Sequence, residues 1–353
     1  MPRDDLAELD HPSGGSTRLP PPNFAHLRIL TDERGLWEHA RYAVPRREHG
    51  FCNDDNARAL VIVARENGND LSDLATIYLR FVLDARKPDG HFHNRRLSNG
   101  SWIDDTGSDD SQGRAWWGLG ATTRFGPEVW MRVAGLEEFD SCASFESPHL
   151  RANAYAALGA ADVIERNPGC QPALDLLDRT SALIAGAARS AIPWPESRLT
   201  YDNPRIPEAL IAAGSALGDK RRTDLGIRLL RWLIESESKG RQFSFTPVTG
   251  RTPGDREPAF DQQPIEAWAM ADACYRASAV TRDRSWDRWA LHSAAWLLGK
   301  NDSGSSMYEE HTGGTFDGLT PTGVNQNQGA ESTLAGLGTL QIAVSLQRDR
   351  RLV

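Results

Sequence analysis

The chain lacks the features that mark several common protein classes. No hydrophobic run is long and unbroken enough to cross a membrane. Residues 1–22 contain no apolar segment of the kind that a secretory signal needs. The 353 residues carry 40 Lys and Arg against 48 Asp and Glu, and the resulting net charge of −8 argues against nucleic acid as a partner. We therefore expect a cytoplasmic protein with neither a membrane nor a nucleic-acid partner.

Cysteine is scarce, and common catalytic motifs are missing. None of the four cysteines is in CxxC spacing, so zinc and thioredoxin-like chemistry lack support. His91 and His93 flank Phe92, but no third ligand accompanies them. The sequence contains no GxGxxG, Walker, HExxH or GxSxG motif. It therefore predicts no metal and no cofactor.

Composition and linkers indicate one domain. Hydrophobic residues make up 39% of the chain and charged residues 25%, as in globular proteins. Residues 1–22 are rich in Pro, Gly, Ser and acidic residues, which predicts a flexible arm. No linker divides the chain after Pro22. Residues 23–353 are therefore predicted to form a single domain.

A polar loop leads into a short helix of small apolar residues six times along the chain. Small side chains allow helices to pack closely, and five of the six junctions are crowded with Asp, Glu, Asn, Gln and Arg. The six segments are Cys52 to Ala64, Gly107 to Gly120, Ser147 to Ala161, Leu199 to Gly214, Phe260 to Ala273 and Val324 to Gly338. If these helices lie side by side, the polar junctions form one surface.

Longer amphipathic helices alternate with these segments. Within Leu71 to Arg86, for example, apolar residues recur every three or four positions. The amphipathic helices are predicted at Asn23 to Ala40, Leu71 to Arg86, Glu128 to Glu138, Pro172 to Arg189, Lys220 to Ser236 and Ser285 to Lys300. The small-apolar helices start about 40 to 65 residues apart, the spacing of helical-pair repeats.

The predicted fold is therefore all-α, an (α/α)6 toroid of six helical hairpins with a polar cup at the N-terminal ends of the inner helices. Three long loops are expected to form the walls of the cup, and three short stretches could form hairpins at its rim. The loops are Asp89 to Gly107, Phe243 to Phe260 and Asn301 to Asn327. The short stretches are His91 to Asn94, Leu199 to Tyr201 and Gln242 to Phe245.

Paired and isolated carboxylates at the junctions are candidates for acid–base chemistry. One Asp suffices to cap a helix, so the second member of Asp54–Asp55 and of Asp109–Asp110 is solvated, ion-paired or used. For Asp202 the alternative is a simple cap. The predicted catalytic set is Asp55, Asp110, Asp202, Asp261 and Glu331. Asp110 fits the acid best, and Asp202 or Asp261 fits the base.

Amides, arginines and aromatic rings accompany these acids, which is the residue inventory of a carbohydrate site. One of Trp116 and Trp117 is expected in the core and the other on the floor of the cup. The predicted substrate-binding residues are Asp54, Asn56, Arg58, His93, Gln112, Arg114, Trp117, Tyr201, Asn203, Arg205, Glu208, Gln262, Gln263, Glu266, Asn325, Asn327 and Gln328.

Several long motifs carry a resemblance to a bacterial family. They are EHGFCNDDNARAL, DDSQGRAWWGLG, LTYDNPRIPEALIAAG, FDQQPIEAW and GVNQNQGAESTLA, and the resemblance covers nearly all of Asn23 to Leu346. Members of that family are often labelled glycosyltransferase, and some follow a glycosyltransferase domain on the same chain. The family resembles the six-hairpin (α/α)6-toroid glycosidases, so the resemblance implies the same fold and a carbohydrate context.

Three functions follow as hypotheses. The first is a glycoside hydrolase with an Asp/Glu acid–base pair acting on an oligosaccharide or glycoconjugate. The second is a sugar epimerase or lyase, which needs a proton-shuttling pair such as two of His49, His93 and His311. The third is a non-catalytic glycan-binding module working with a glycosyltransferase. The sequence specifies neither the sugar nor an oligomeric state.

Overall fold

Helices dominate the structure. The computed structural model describes residues 19–66, 70–188, 194–240 and 242–351. The helices in these ranges are α1 (Ala25–Ile29), α2 (Asn53–Arg65), α3 (Ser72–Asp84), α4 (Asp109–Phe125), α5 (Val129–Glu138), α6 (Leu150–Arg166), α7 (Gln171–Ala187), α8 (Arg205–Ala216), α9 (Lys220–Glu237), α10 (Pro264–Thr281), α11 (Ser285–Leu297) and α12 (Ala330–Arg351). Of the predicted arm 1–22, residues 1–18 lie outside the described ranges.

The even-numbered helices form a closed inner ring. Each packs against the next in chain order, and α12 packs against α2. Small residues permit this closeness: a Cβ atom added to Gly120 of α4 would lie 2.2 Å from the carbonyl oxygen of Gly159 on α6. The six segments predicted from small-residue content all lie on this ring, which confirms the (α/α)6 toroid.

The outer layer is regular except at its first position. Helices α3, α5, α7, α9 and α11 pack outside α2, α4, α6, α8 and α10, and the short α1 packs against α12. The prediction of one helix from Asn23 to Ala40 is wrong beyond Ile29. The chain there turns at Glu33 and Arg34. A Cβ added to Gly35, just after this turn, would lie 2.6 Å from the ring of Phe81, and the amide oxygen of Asn56 accepts the N–H of Leu36 at 3.0 Å.

Short antiparallel pairs of β-strands accompany the helical ring. The strands are β1 (Thr31–Asp32), β2 (Gly35–Leu36), β3 (Ala40–Arg41), β4 (Val44–Pro45), β5 (Phe51–Cys52), β6 (Arg95–Arg96), β7 (Ser238–Lys239), β8 (Gln242–Phe243), β9 (Gly318–Thr320) and β10 (Gly323–Asn325). They pair as β1–β2, β3–β4, β5–β6, β7–β8 and β9–β10. No helix in the described part of the chain has the length and apolar character needed to cross a membrane.

The rim hairpins were predicted in part. Strand β8 lies inside the predicted stretch Gln242 to Phe245, and Leu199 forms a single bridge with Arg251. Phe92 bridges Arg86, but the ladder next to it forms at β6 instead of His91 to Asn94. The β9–β10 hairpin lies within a segment that was expected to be a loop.

Candidate active site

A chain of ionic and hydrogen-bonded contacts joins the N-terminal ends of the inner helices. The guanidinium of Arg58 on α2 donates to Glu331 on α12 at 2.5 Å, and Arg114 on α4 donates to Asp54 on α2 at 2.6 Å. Arg114 also donates to the hydroxyl of Tyr155 on α6 at 2.8 Å. These contacts bring polar ends of four inner helices to one surface, which is called the cup below.

The segment before α8 extends the cup to the remaining helices. Tyr155 donates its hydroxyl hydrogen to Asp202 at 2.6 Å. The carboxylate of Glu266 on α10 accepts the backbone N–H groups of Asp202 and of Asn203, the latter at 3.3 Å. Arg151 on α6 donates to the amide oxygen of Asn203 at 2.8 Å. Residues from five inner helices and from the segment that leads into the sixth, α8, therefore contribute to the cup.

The two aspartate pairs have different partners, and neither pair caps its helix. Cys52 Sγ caps α2 by accepting the N–H of Asp55, and Ser108 Oγ caps α4 by accepting the N–H of Ser111. The carboxylates of Asp54 and Asp55 are ion-paired instead, as described next. The expectation that one aspartate of this pair caps α2 is therefore wrong, and the expectation of an ion pair is correct.

Asp54 and Asp55 lie beside the same guanidinium but titrate differently. Arg58 contacts Asp55 at 2.5 Å and Asp54 at 3.4 Å. Burial outweighs this attraction at Asp55 and raises the pKa of its carboxyl to about 6. Burial alone would also raise the pKa of Asp54, but Arg114 and Arg58 together lower it below the usual value. Asp54 is therefore a fixed negative charge.

Asp109 and Asp110 have no Lys or Arg partner among the described residues. The Tyr201 hydroxyl donates to Asp110, and the Ser147 hydroxyl donates to Asp109 at 2.7 Å. The His149 ring lies 3.8 Å from Asp109. Both aspartates are only partly buried. Burial, with the Asp110 charge adding to it, raises the pKa of Tyr201, so its phenol stays a hydrogen-bond donor.

Asp202 is buried in a strained turn. Its φ of 48° lies in the left-handed region, and the residue is 1% exposed. Pro204 occupies the N-cap position of α8 without a side-chain cap, so Asp202 is not the predicted cap. Its carboxylate accepts a hydrogen bond from the Tyr155 hydroxyl and lies 3.5 Å from the guanidinium of Arg205.

A second buried carboxyl group stands behind Glu266, and sequence reasoning missed it. Glu237, the last residue of α9, accepts the N–H of Thr246 at 3.0 Å and also its hydroxyl. Burial raises the pKa of Glu237 to about 7. Burial, then the charges of Glu237 and Asp202, raises the pKa of Glu266 well above its usual value. Glu266 was among the predicted site residues, but the end of an outer helix gave no sequence signal for Glu237.

Most of the predicted amides hold the backbone in place. Gln112 donates to the carbonyl of Phe92 at 2.7 Å and accepts its N–H at 2.8 Å. The Gln262 amide contacts the indole N–H of Trp296 and the N–H of Phe245. Similar backbone or side-chain contacts tie down Asn56, Asn325, Asn327 and Gln328. Their contacts favour positioning over direct contact with a sugar.

Both tryptophans of α4 lie in the core. Trp117 is 1% exposed and stacks between Tyr155 and Trp268, with ring centroids 6.0 and 5.3 Å away. The guanidinium of Arg205 lies 4.5 Å from the Trp117 ring centroid. Trp117 offers no exposed face for a sugar, which corrects its placement on the floor of the cup.

The remaining predicted residues are dispersed. Asp261 is half-buried on the loop before α10, and Gln263 is half-buried beside α10. A Cβ added to Gly318 would lie 3.2 Å from the Cβ of Asp261. The His93 ring stacks on Trp102 and its Nδ1 contacts the Asp104 carbonyl at 2.7 Å. Glu208 lies deeper in the ring, bonded to Arg205 at 2.7 Å.

Two clusters at the rim of the cup were not predicted. The ligand atoms of Glu38, Cys52 and Asp55 lie within 4.8 Å of one another. Arg95 and Arg58 already pair with the two carboxylates, so guanidinium groups hold the charge that a metal ion would neutralise. The rings of His39 and His49 lie 5.0 Å apart beside this cluster.

Comparison with known proteins supports the fold. No protein-family model and no curated protein sequence matches the chain. A cellobiose 2-epimerase from Bacillus thermoamylovorans B4167 matches at 10% identity, with a TM-score of 0.67 over 92% of this chain and 95% of that chain. A GH76 α-mannanase from Bacteroides thetaiotaomicron matches at 11% identity, with a TM-score of 0.64 over 93% and 95%.

A third similar structure is an inactive variant of an α-1,6-mannanase from Salegentibacter sp. HEL1_6 in complex with α-1,6-mannotriose. Two consecutive aspartates are replaced by asparagine in that variant. It matches at 10% identity, with a TM-score of 0.62 over 91% of this chain and 96% of that chain. At these identities the similarity shows a shared (α/α)6 toroid.

Proposed function

We propose that this protein is a glycoside hydrolase whose cup binds an oligosaccharide or glycoconjugate. The observation that carries the proposal is the state of the Asp109–Asp110 pair. Both carboxylates lie at the cup end of an inner helix, neither caps that helix, and neither forms a salt bridge with Lys or Arg within the described residues. They are accessible to solvent in part, as acid–base groups must be.

The fold neighbours support this choice. The inactive mannanase carries asparagine at two consecutive positions that were aspartate. This chain has four pairs of consecutive aspartates, and two of them, Asp54–Asp55 and Asp109–Asp110, lie at the cup ends of inner helices. Asp54–Asp55 forms salt bridges with Arg58 and Arg114. Of these two pairs, only Asp109–Asp110 forms no salt bridge with Lys or Arg in the described part of the chain.

The roles within the predicted catalytic set follow from its contacts. Asp110 is the proposed acid, because it lies beside the carboxylate of Asp109, and the Tyr201 hydroxyl that donates to Asp110 orients it. Asp261, which has no ion-pair partner among the described residues, is the proposed base. Asp55, Asp202 and Glu331 each contact an arginine, so they shape the charge of the cup and position its residues.

The test is turnover on an oligosaccharide panel that includes α-1,6-mannotriose. We expect Asp110→Asn and Asp261→Asn to lower turnover roughly 10²- to 10⁴-fold, the range for general acid–base groups. Asp140→Asn, at an exposed site that makes none of the contacts described for the cup, is the matched control and should retain full turnover. Unfolding midpoints of all variants show whether the fold is intact. Near-normal turnover of both cup variants would contradict the assignment.

A second function is favoured by one observation. Epimerases need a pair of proton-transferring groups, and the His39–His49 contact at 5.0 Å supplies two imidazoles at the rim of the cup. Incubation with cellobiose in D2O separates the two reactions. Deuterium gained at C2 without cleavage would identify an epimerase, and cleavage without exchange would identify a hydrolase.

A module that only binds glycans, with a glycosyltransferase as its partner, predicts a third result. The Asp110→Asn and Asp261→Asn variants would then weaken saccharide binding, and the unmodified protein would neither cleave nor exchange any member of the panel.

A further inference from the structure

A cavity of about 400 Å³ opens at the end of the ring opposite the cup. It is lined mainly by the C-terminal halves of α2, α4, α6, α10 and α12, and it is called the rear cavity below. Its size falls within the roughly 300–1,000 Å³ of small-molecule sites. Nothing in the proposed hydrolase reaction uses it.

The core separates the rear cavity from the cup. Arg205 is fully buried, and its guanidinium lies 4.5 and 4.6 Å from the ring centroids of Trp117 and Trp268. The same guanidinium donates to Asp272, which lines the rear cavity, at 2.6 Å. The two openings are therefore separate sites on one ring.

Paired charges form the floor of the rear cavity. Arg65 contacts Asp272 at 3.2 Å, and Arg124 donates to Asp162 at 2.8 Å. Arg276 contacts Glu208 at 3.2 Å. Each of these three acids is at most 5% exposed, so the pairs are built into the fold.

The charge balance decides against an ionic ligand. Four arginines and five acidic residues line the rear cavity, and the C-terminal ends of helices add partial negative charge. An anion is therefore disfavoured. A cation is not required either, because the three buried acids of the floor already hold arginines.

The rim adds apolar surface. Tyr275 is 40% exposed and Phe125 is 36% exposed, and Val280 and Ile342 line the wall between the helices. A neutral ligand with an apolar face and many hydroxyl groups matches both the apolar rim and the charged floor of the rear cavity. Its face packs on an aromatic ring, and its hydroxyls donate to carboxylates and accept from guanidinium groups.

We propose that the rear cavity binds a neutral saccharide of one or two sugar units, at a second site independent of the cup. Tyr275 supplies the stacking surface, and the Arg–acid pairs of the floor supply the hydrogen bonds.

The proposal is tested by hydrogen–deuterium exchange and calorimetry with the full chain. The neutral probes are glucose, mannose and cellobiose, and glucose 6-phosphate is the anionic probe. We expect at least one neutral probe to protect the peptides covering 271–281 and 338–348. Glucose 6-phosphate should bind there at least tenfold more weakly than glucose.

Two variants locate the site. Ala279→Trp, at an exposed lining position, should fill the rear cavity and weaken binding at least tenfold. Tyr275→Ala should weaken it roughly 2- to 12-fold, the range of an aromatic contact. Tyr42→Ala removes an exposed tyrosine elsewhere and should leave affinity unchanged. Unfolding midpoints confirm that each variant is folded.

The outcomes separate this site from the cup. Asp110→Asn should leave rear-cavity binding intact, and Ala279→Trp should leave turnover intact. The proposal is overturned if no neutral probe protects the two peptides, if glucose 6-phosphate binds better than glucose, or if Ala279→Trp leaves the isotherm unchanged.

Discussion

Glu237 shows how one buried carboxyl group sets the response of the fold to pH. Its pKa of about 7 in the folded protein exceeds the usual 4.5. The folded protein thus holds this proton more tightly than the unfolded chain does. The free energy of unfolding therefore falls as the pH rises from about 4.5 to about 7. Above that range Glu237 is ionised in the folded protein, and this full penalty to stability persists.

Replacing this acid by its neutral isostere should remove the penalty. We expect Glu237→Gln to raise the free energy of unfolding at pH 8 by up to about 3 kcal/mol and to change it little at pH 4.5. Urea denaturation at both pH values measures the difference. Glu235→Gln, an exposed position on the same helix, is the control and should not alter the pH dependence. Parallel pH profiles of wild type and Glu237→Gln would refute the assignment.

Arg205 is the residue on which several buried charges depend. Its guanidinium contacts Glu208 at 2.7 Å and Asp272 at 2.6 Å, and both acids are buried. Arg205→Met would leave them partly uncompensated, so we expect a loss of about 3–5 kcal/mol in the free energy of unfolding. Lys220→Met breaks the exposed pair with Asp224 and should have little effect. Equal destabilisation by the two substitutions would show that the buried ion pairs of Arg205 contribute no more to stability than the exposed Lys220–Asp224 pair does.

At the scale of helices, the glycines of the inner ring are fixed by contact with their neighbours. A Cβ at Gly159 of α6 would lie 2.2 Å from the Trp116 carbonyl oxygen and 2.9 Å from the Trp117 Cα. We expect Gly159→Ala to cost about 1–3 kcal/mol, because overpacking outweighs the better helix propensity of alanine. Thermal unfolding, converted to free energy, measures the cost.

Gly186 on the outer helix α7 is the matched control. An added Cβ there meets nothing within 4 Å, so Gly186→Ala should be neutral or stabilising by up to about 1 kcal/mol. Destabilisation of both variants to the same degree would mean that helix contact does not select glycine in the ring.

The same contacts explain which elements the sequence could predict. Close packing forces small residues onto the inner helices, so their pattern predicted all six. The end of the first outer helix could not be predicted, because Gly35 in β2 packs against Phe81 on α3, and that contact is remote in sequence. Likewise Asp109 and Asp110 were visible as a pair, but Arg114 beside Asp54 and Tyr201 beside Asp110 are partners remote in sequence, and these contacts help to distinguish the two pairs.

At the scale of the whole molecule, stability depends on closing the ring. Helix α12 packs against α2, and the Gln341 amide donates to the carbonyl of Ile62 at 3.1 Å. Glu331 pairs with Arg58 across the same junction at 2.5 Å. Leu334, Leu337 and Leu340 of α12 are fully buried. Helix α12 therefore completes the core of the ring by packing against α2.

A chain that ends at Gln328 should accordingly lose cooperative folding. Without α12, apolar surface on α2 and α10 is exposed to water, and the loss of several buried leucines at roughly 1.5–3 kcal/mol each exceeds the usual stability of a domain. The measurement is urea denaturation followed by circular dichroism and by tryptophan fluorescence. A chain that ends at Arg348 keeps these leucines and should show one transition with coincident curves. A single sharp transition in the shorter chain would mean that five hairpins fold without closure of the ring.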